Sequence, residues 1–226
     1  MKGKRILYCE TAYVLGLFVL ALGTAFMERA NFGMSMVVAP AYLIHLLVSP
    51  TFPFFSFGMS EYVFQAVLII LLSLVMGKAK KSYLFSFVTA FLYGVVLDLA
   101  MGIVALLPFA GMAWRVVFYL VGLLTCSTGV TLLLHTYFPP EAYELVVKEF
   151  SQKFGIPLGK TKTVYDCCSC LLGIVLSFCF FGTFVGVKWG TILCALVNGW
   201  LIGQITHWLD CKFIWQDALL LRSKIS

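Results

Sequence analysis

The 226 residues are 62% hydrophobic and 12% charged, with a mean hydropathy of +0.99 and a formal charge of +6. Such usage lies outside that of soluble globular proteins. At about 20 residues per helical span it leaves room for six or seven crossings and no separate soluble domain. The basic residues are dispersed among apolar segments, so the positive charge points to anionic lipid headgroups as its partner and not to nucleic acid.

The first predicted span covers residues 6–27. Gly23 and Ala25 imitate a small-residue cleavage site, but the apolar stretch is longer than a signal core and is interrupted by Glu10, so the segment is expected to stay as a span. Glu10 either couples a proton or snorkels to the headgroups beside Lys4 and Arg5. Residues 33–48, carrying Pro40, are too short to cross alone. Spans follow at 59–76 and 83–107, then a short link at 108–113 and a fourth span at 114–136. After Pro139 and Pro140 comes a second short segment, 142–154. Its apolar residues Tyr143, Val146, Val147, Phe150 and Phe154 share one helical face, the pattern of a helix lying flat in the interface. Spans at 163–185 and 190–209 complete six.

Lysine and arginine placement orients them, because cytoplasmic loops keep positive charge. With the N-terminus inside and residues 33–48 dipping in and returning, the inner side holds Lys2, Lys4, Arg5, Lys78, Lys80, Lys81, Lys148, Lys153, Lys160, Lys162, Lys212, Arg222 and Lys224. Thirteen of the sixteen basic residues are then cytoplasmic, and only Arg29, Arg115 and Lys188 face out. A full crossing by residues 33–48 would put Lys78, Lys80 and Lys81 outside. Both termini are therefore expected in the cytoplasm.

The two halves repeat. Laid out from Gly23 and from Gly129, each reads as a span, a short Pro-marked segment, a turn holding Gly58 or Gly159, and two more spans. FGMSEYVFQ (57–65) aligns with LGKTKTVYD (158–166), which makes Gln65 and Asp166 counterparts; YGVVLD (93–98) aligns with NGWLIG (198–203), which puts Asp98 opposite Gly203. An odd number of crossings per unit reverses the second. The expected fold is an all-α polytopic membrane protein, a single membrane domain over 1–226 with six transmembrane helices as a three-plus-three inverted repeat. Repeat 1 spans about 6–107, repeat 2 about 114–209, and a cytoplasmic tail 210–226. Each half carries one short re-entrant or interfacial helix. This arrangement recurs among secondary transporters, with the solute near the repeat interface; duplication and a shared packing solution alone would also produce it.

Residues 154–203, FGIPLGKTKTVYDCCSCLLGIVLSFCFFGTFVGVKWGTILCALVNGWLIG, carry a Gly-Ile-Pro-x-Gly entry, a glycine-punctuated helix and a Gly-x-x-x-Gly-Thr step at 186–191. The run resembles the second half of bacterial YczE/YitT-type membrane proteins. LGTAFMERANFGMSMVVAPAYLIHLL (22–47), with its Gly-x-Ser turn at 33–35, and the Gly-x-x-x-Asp-Leu step of LYGVVLDL (92–99) are similar to that group's first half. The resemblance implies a multi-pass protein of the bacterial cytoplasmic (inner) membrane and brings no activity with it.

An ionisable group at membrane depth is a site hypothesis by default. Asp98 lies well inside the third span, and Arg115 begins the fourth on the same side. As a pair they gate an outer vestibule or hold a charged solute; equally, they neutralise each other and fix helix packing. Glu28, Arg29, Asn31 and Glu61 cluster at the expected outer face beside the Pro40 segment, whose first amides (33–36) would point positive dipole at a cavity if the segment dips in. A solvated external turn is the plainer reading. Lys162 and Asp166 have the i, i+4 spacing of a surface pair. Asn198 and Gln204 line an interior path or act as glue between helices. The candidate path is thus Asp98, Arg115, Glu61, Arg29, Asn31, Gln65, Asn198 and Gln204.

His45, His135 and His207 share no ligand spacing, and Cys167, Cys168 and Cys170 sit on a spanning helix, so no metal or cofactor is expected. The Gly199-x-x-x-Gly203 step marks close packing within the bundle or at a homodimer face. A catalytic constellation is missing, which speaks against an enzyme. The expected function is a transporter or facilitator of a small polar or anionic solute. The alternatives are the substrate-binding subunit of an energy-coupling-factor vitamin transporter, faintly suggested by Ala21-x-x-x-Ala25, and a structural or interaction protein of the membrane.

Overall fold

A computed structural model describes residues 5–78, 80–108, 111–156 and 158–218. Lys2, Lys4, Arg222 and Lys224 of the charge count, Phe109 and Ala110 of the external link, and Pro157 of the Gly-Ile-Pro entry lie outside the described residues. The described helices are α1 (Cys9–Ala30), α2 (Ala39–Val48), α3 (Phe57–Met76), α4 (Lys81–Ala105), α5 (Met112–Leu134), α6 (Ala142–Phe154), α7 (Leu158–Phe181) and α8 (Trp189–Lys212). Six of them are long and apolar enough to cross a bilayer, and α2 is a shorter apolar helix. Two strands that hydropathy does not announce, β1 (Arg5–Tyr8) and β2 (Phe213–Gln216), pair in parallel and bring the two ends of the chain together.

Local chemistry sets the helix limits. Asn31, in the left-handed region at φ 56°, stops α1. Pro40 sits at the start of α2, where a missing N–H costs nothing. Ser56 accepts from the Met59 amide at 3.1 Å to open α3, and Gly77 at φ 64° closes it.

The bundle is organised around α1 and α5, which pack antiparallel along their whole length. A Cβ at Gly23 would lie 2.5 Å from the Cys126 amide nitrogen, and one at Gly129 would lie 2.6 Å from that of Leu20. Only glycine admits so close an approach of two backbones. The contacts also cross: Gly16 faces the Gly129 carbonyl and Gly122 the Gly23 carbonyl. In the alignment of Gly23 with Gly129, Gly16 falls opposite Gly122, so exchanging the halves exchanges these two contacts.

The remaining packing has the same character. α1 lies on α4 as α5 lies on α8; α3 on α4 as α7 on α8; α2 on α3 as α6 on α7; and α2 on α7 as α6 on α3. The match is uneven: the α3–α4 seam is far more extensive than the α7–α8 one, and among the described residues the α4–α6 contact has no comparable counterpart.

The second short helix departs from expectation. α6 does not lie flat in the interface but runs beside α3, with Tyr143 at Glu61, Glu149 at Lys80 and Tyr83, and Lys153 at the Val75 carbonyl. Its apparent polar face misleads because Glu149 is itself buried, 2.7 Å from the Lys80 ammonium. The Gly199–Gly203 step also differs: a Cβ at either position meets nothing within 4 Å, so it does not pack within the chain.

Candidate functional site

The segments leading into α2 and α6 approach each other inside the bundle. Between them lies a cavity of about 50 Å³, lined by residues 35–38 before α2, by Pro140, Glu141, Tyr143 and Glu144 at the start of α6, and by Thr24, Tyr93, Cys126, Lys162, Cys194 and Asn198 from the spans. A buried water needs roughly 10–15 Å³, so the cavity holds a few waters or one small solute. Leu133, Leu134, Pro140 and Glu144 also line a vestibule of about 590 Å³ that extends along α6.

The other end is sealed by backbone. The Met34 amide donates to the Gly186 carbonyl and the Gly190 amide to the Phe32 carbonyl, each at 2.9 Å, and the Tyr119 hydroxyl donates to the Gly190 carbonyl. Gly33 is at φ +115°, and a Cβ there would lie 2.5 Å from Thr191 Oγ1. The Gly-x-Ser turn and the Gly-x-x-x-Gly-Thr step noted in the sequence are the two sides of this seal.

Four carboxylates gather where α3, α6 and α7 meet. Glu61 Oε2 accepts from the Tyr143 hydroxyl at 2.8 Å and from Gln65 Nε2 at 3.2 Å. Gln65 Nε2 also donates to Glu141 Oε2 at 3.3 Å, while its oxygen accepts from the Ala142 amide at 3.0 Å. Lys162 pairs with Glu144 at 2.7 Å and with Asp166 at 3.1 Å. Glu61 and Glu141 form no ion pair among the described residues, and each keeps one buried oxygen, Oε1, without a partner. Burial first, and then the Glu61 and Glu144 carboxylates, push the Glu141 carboxyl well above the ordinary carboxylate range.

The sequence candidates divide. Glu61, Gln65 and Asn198 belong to the interior; Asn198 Oδ1 accepts from Ser127 Oγ at 2.8 Å on the cavity wall. Gln204 is exposed on the outside of α8 rather than lining a path. Asp98 and Arg115 do not pair. Asp98 accepts from the Gly58 amide at 2.8 Å and from the Ser56 hydroxyl, so its charge caps the N-terminus of α3. Arg115 instead donates to the Ala30 carbonyl at 2.8 Å and to the Asn31 carbonyl at 3.1 Å. Lys188 Nζ reaches the same Asn31 carbonyl at 3.1 Å, and Arg29 donates to the Leu107 carbonyl at 3.0 Å. Arg115 and Lys188 thus satisfy the carbonyl end of α1, where cations are favoured. Glu28 meets the Tyr42 hydroxyl at 3.3 Å, and Glu61 stands apart from that group. Glu10 accepts from the Tyr137 hydroxyl at 2.7 Å and from the Ala218 amide at 3.1 Å, so it ties the chain ends together.

A model of the family of unknown function DUF6198 matches residues 7–207. The chain belongs to that family. The match spans both short helices and every charged residue at the cavity. No curated protein and no solved structure matches the chain.

Glu141 and Tyr143 had no functional reading from sequence. The signal present was an acidic residue directly after two prolines in an apolar setting, the N-cap position of α6.

Proposed function

We propose that the protein is a secondary transporter or facilitator of a small polar solute, with the cavity between the starts of α2 and α6 as its solute site. The observation that carries this reading is that two half-length helices, one from each half of the chain, begin at one charged cavity enclosed by spanning helices. Charges at that depth cost several kcal/mol, and they are retained where an ion or solute is handled. Helices that stop inside the bundle present unpaired first amides to such a site.

The two sets of four helices read as a three-plus-three inverted repeat, supported by the antiparallel α1–α5 seam and by the matched contacts of the halves. The end holding β1, β2 and most of the described lysines is the cytoplasmic one by charge. The vestibule then opens inward, and the Gly33–Gly186 seal is the outer gate. The YczE/YitT resemblance supports a location in the bacterial inner membrane. Among the described residues Glu61, Glu141, Glu144 and Asp166 stand against Lys162, which favours a neutral or cationic solute over an anionic one. The alternative of a docking subunit loses support because Ala21 and Ala25 are fully buried in the bundle.

The test is uptake of radiolabelled amines, amino acids and polyols into proteoliposomes, using a variant whose only cysteine is Cys194. Modification of Cys194 by a small methanethiosulfonate should block uptake, and the transported solute should slow that modification. Undiminished uptake after complete modification moves the path elsewhere; no uptake of any solute class ends the proposal.

A further inference from the structure

Two buried carboxylates meet on one amide. Gln65 Nε2 gives one hydrogen to Glu61 at 3.2 Å and the other to Glu141 at 3.3 Å; the Ala142 amide, donating to Gln65 Oε1 at 3.0 Å, sets which way that amide points. All the donors to the pair are neutral. Glu61 is 0% exposed and Glu141 6%, and each has one oxygen with no partner.

The groups facing the pair come from every neighbouring element. Tyr13 of α1, Tyr93 of α4 and Cys126 of α5 bring neutral phenols and a thiol. Tyr143 and Glu144 come from α6. From α7 comes Lys162, which is engaged by Glu144 and Asp166, while Tyr165 of the same helix faces Tyr143. α2 turns its Tyr42 to Glu28 and its His45 to the Phe55 carbonyl.

Two ionised carboxylates bridged by an amide in so dry a place repel each other, and one shared proton removes most of that repulsion. A hard divalent cation would seek about six to eight oxygens, far more than the two left bare. Among the described residues no group of three acidic, cysteine or histidine side chains is disposed around a metal.

We infer that the Glu61–Glu141 pair is the site of the driving ion, and that this ion is a proton. The inference rests on the transporter reading. One proton is held on the pair in the inward-open arrangement. Its departure to water in the vestibule leaves two negative carboxylates on either side of Gln65, which pushes the Pro139–Glu141 segment off α3. Because Pro140 and Glu144 form part of both the cavity wall and the vestibule wall, this movement changes access to the solute site.

Infrared difference spectra of the purified full chain, recorded as pH is raised from about 6 to about 9, read carboxyl protons without any solute. The wild type should lose a protonated-carboxyl band. E61Q and E141Q should each displace it, and the double variant should lack it; exchange of sodium for potassium should leave it unchanged. Glutamine copies the neutral acid in size, so monodisperse elution is expected to confirm folding of each variant. In proteoliposomes an acid-outside gradient should speed wild-type uptake of the amine, amino-acid or polyol carried several-fold, and E141Q should lose that acceleration. A band without uptake of any solute overturns transport and leaves the proton site. Uptake indifferent to the pH gradient, uptake driven by sodium, or a wild-type spectrum identical to that of the double variant overturns the proton inference and leaves transport.

Discussion

The first turns of α3 and α7 align in the two halves of the sequence and solve the same problem in opposite ways. The alignment sets Glu61 against Lys162 and Gln65 against Asp166. On α7 a carboxylate one turn from an ammonium is neutralised in place, and the same ammonium takes Glu144 of α6. On α3 a carboxylate one turn from an amide is given only neutral donors, and the same amide takes Glu141. Both helices therefore grip the start of α6, one by ion pairs and the other by hydrogen bonds to acids that no cation neutralises. Neutralisation by lysine persists across the physiological pH range, whereas neutralisation by a proton is removable. The difference gives α6 one fixed partner and one conditional partner.

Removing the fixed partner should have the largest effect. Lys162→Met leaves Glu144 and Asp166 facing each other without a cation, in side chains only 19% and 13% exposed. Breaking a buried pair from one side costs about 3–5 kcal/mol. The apparent melting temperature of the purified protein should fall accordingly. An unchanged melting curve would mean that α7 does not anchor α6 through these charges.

This contrast was only half legible in the sequence. Hydropathy located all six spans because bilayer crossing imposes one length and one polarity on each of them. The alignment of Gln65 with Asp166 leans on Gly58 and Gly159, which the sequence marks as turns but which lie within the first turns of α3 and α7. Depth, however, says nothing of the side of the helix on which a residue stands. Asp98 has membrane depth like Glu61, yet it points at Gly58 and caps α3, because Gly58 and Gly94 let the two helices touch; a Cβ at Gly94 would lie 2.6 Å from the Gly58 carbonyl. Gln204 shares a helix with Asn198 but lies on its outer face. For α6, amphipathic periodicity marked a surface helix, because pattern alone cannot distinguish water or headgroups from protein partners such as the exposed Lys80 and the buried Tyr83.

The conditional partner should reveal itself through pH. Folded Glu141 holds its proton more tightly than the unfolded chain does, because burial and then the nearby carboxylates raise it well above the ordinary carboxylate range. Its contribution is complete below that ordinary range and is lost as pH rises through the elevated folded value. Wild-type melting temperature should therefore decline toward alkaline pH, and Glu141→Gln, which cannot ionise, should decline less. Parallel curves for the two proteins would show that Glu141 is ionised throughout.

The smallest expected change is the most discriminating. Tyr143→Phe deletes the 2.8 Å hydrogen bond to Glu61 and leaves the ring in place beside Phe64. A bond from a phenol to a neutral acceptor is worth about 0.5–1.5 kcal/mol net, and one to an ionised acceptor about 1.5–3 kcal/mol. If Glu61 shares the one proton of the pair, the loss near neutral pH should lie between the two ranges and grow toward the upper one as the pair ionises at alkaline pH. A loss already in the upper range near neutral pH, and constant with pH, would mean that Glu61 carries a standing charge. The α3 side would then be as permanently polarised as the α7 side.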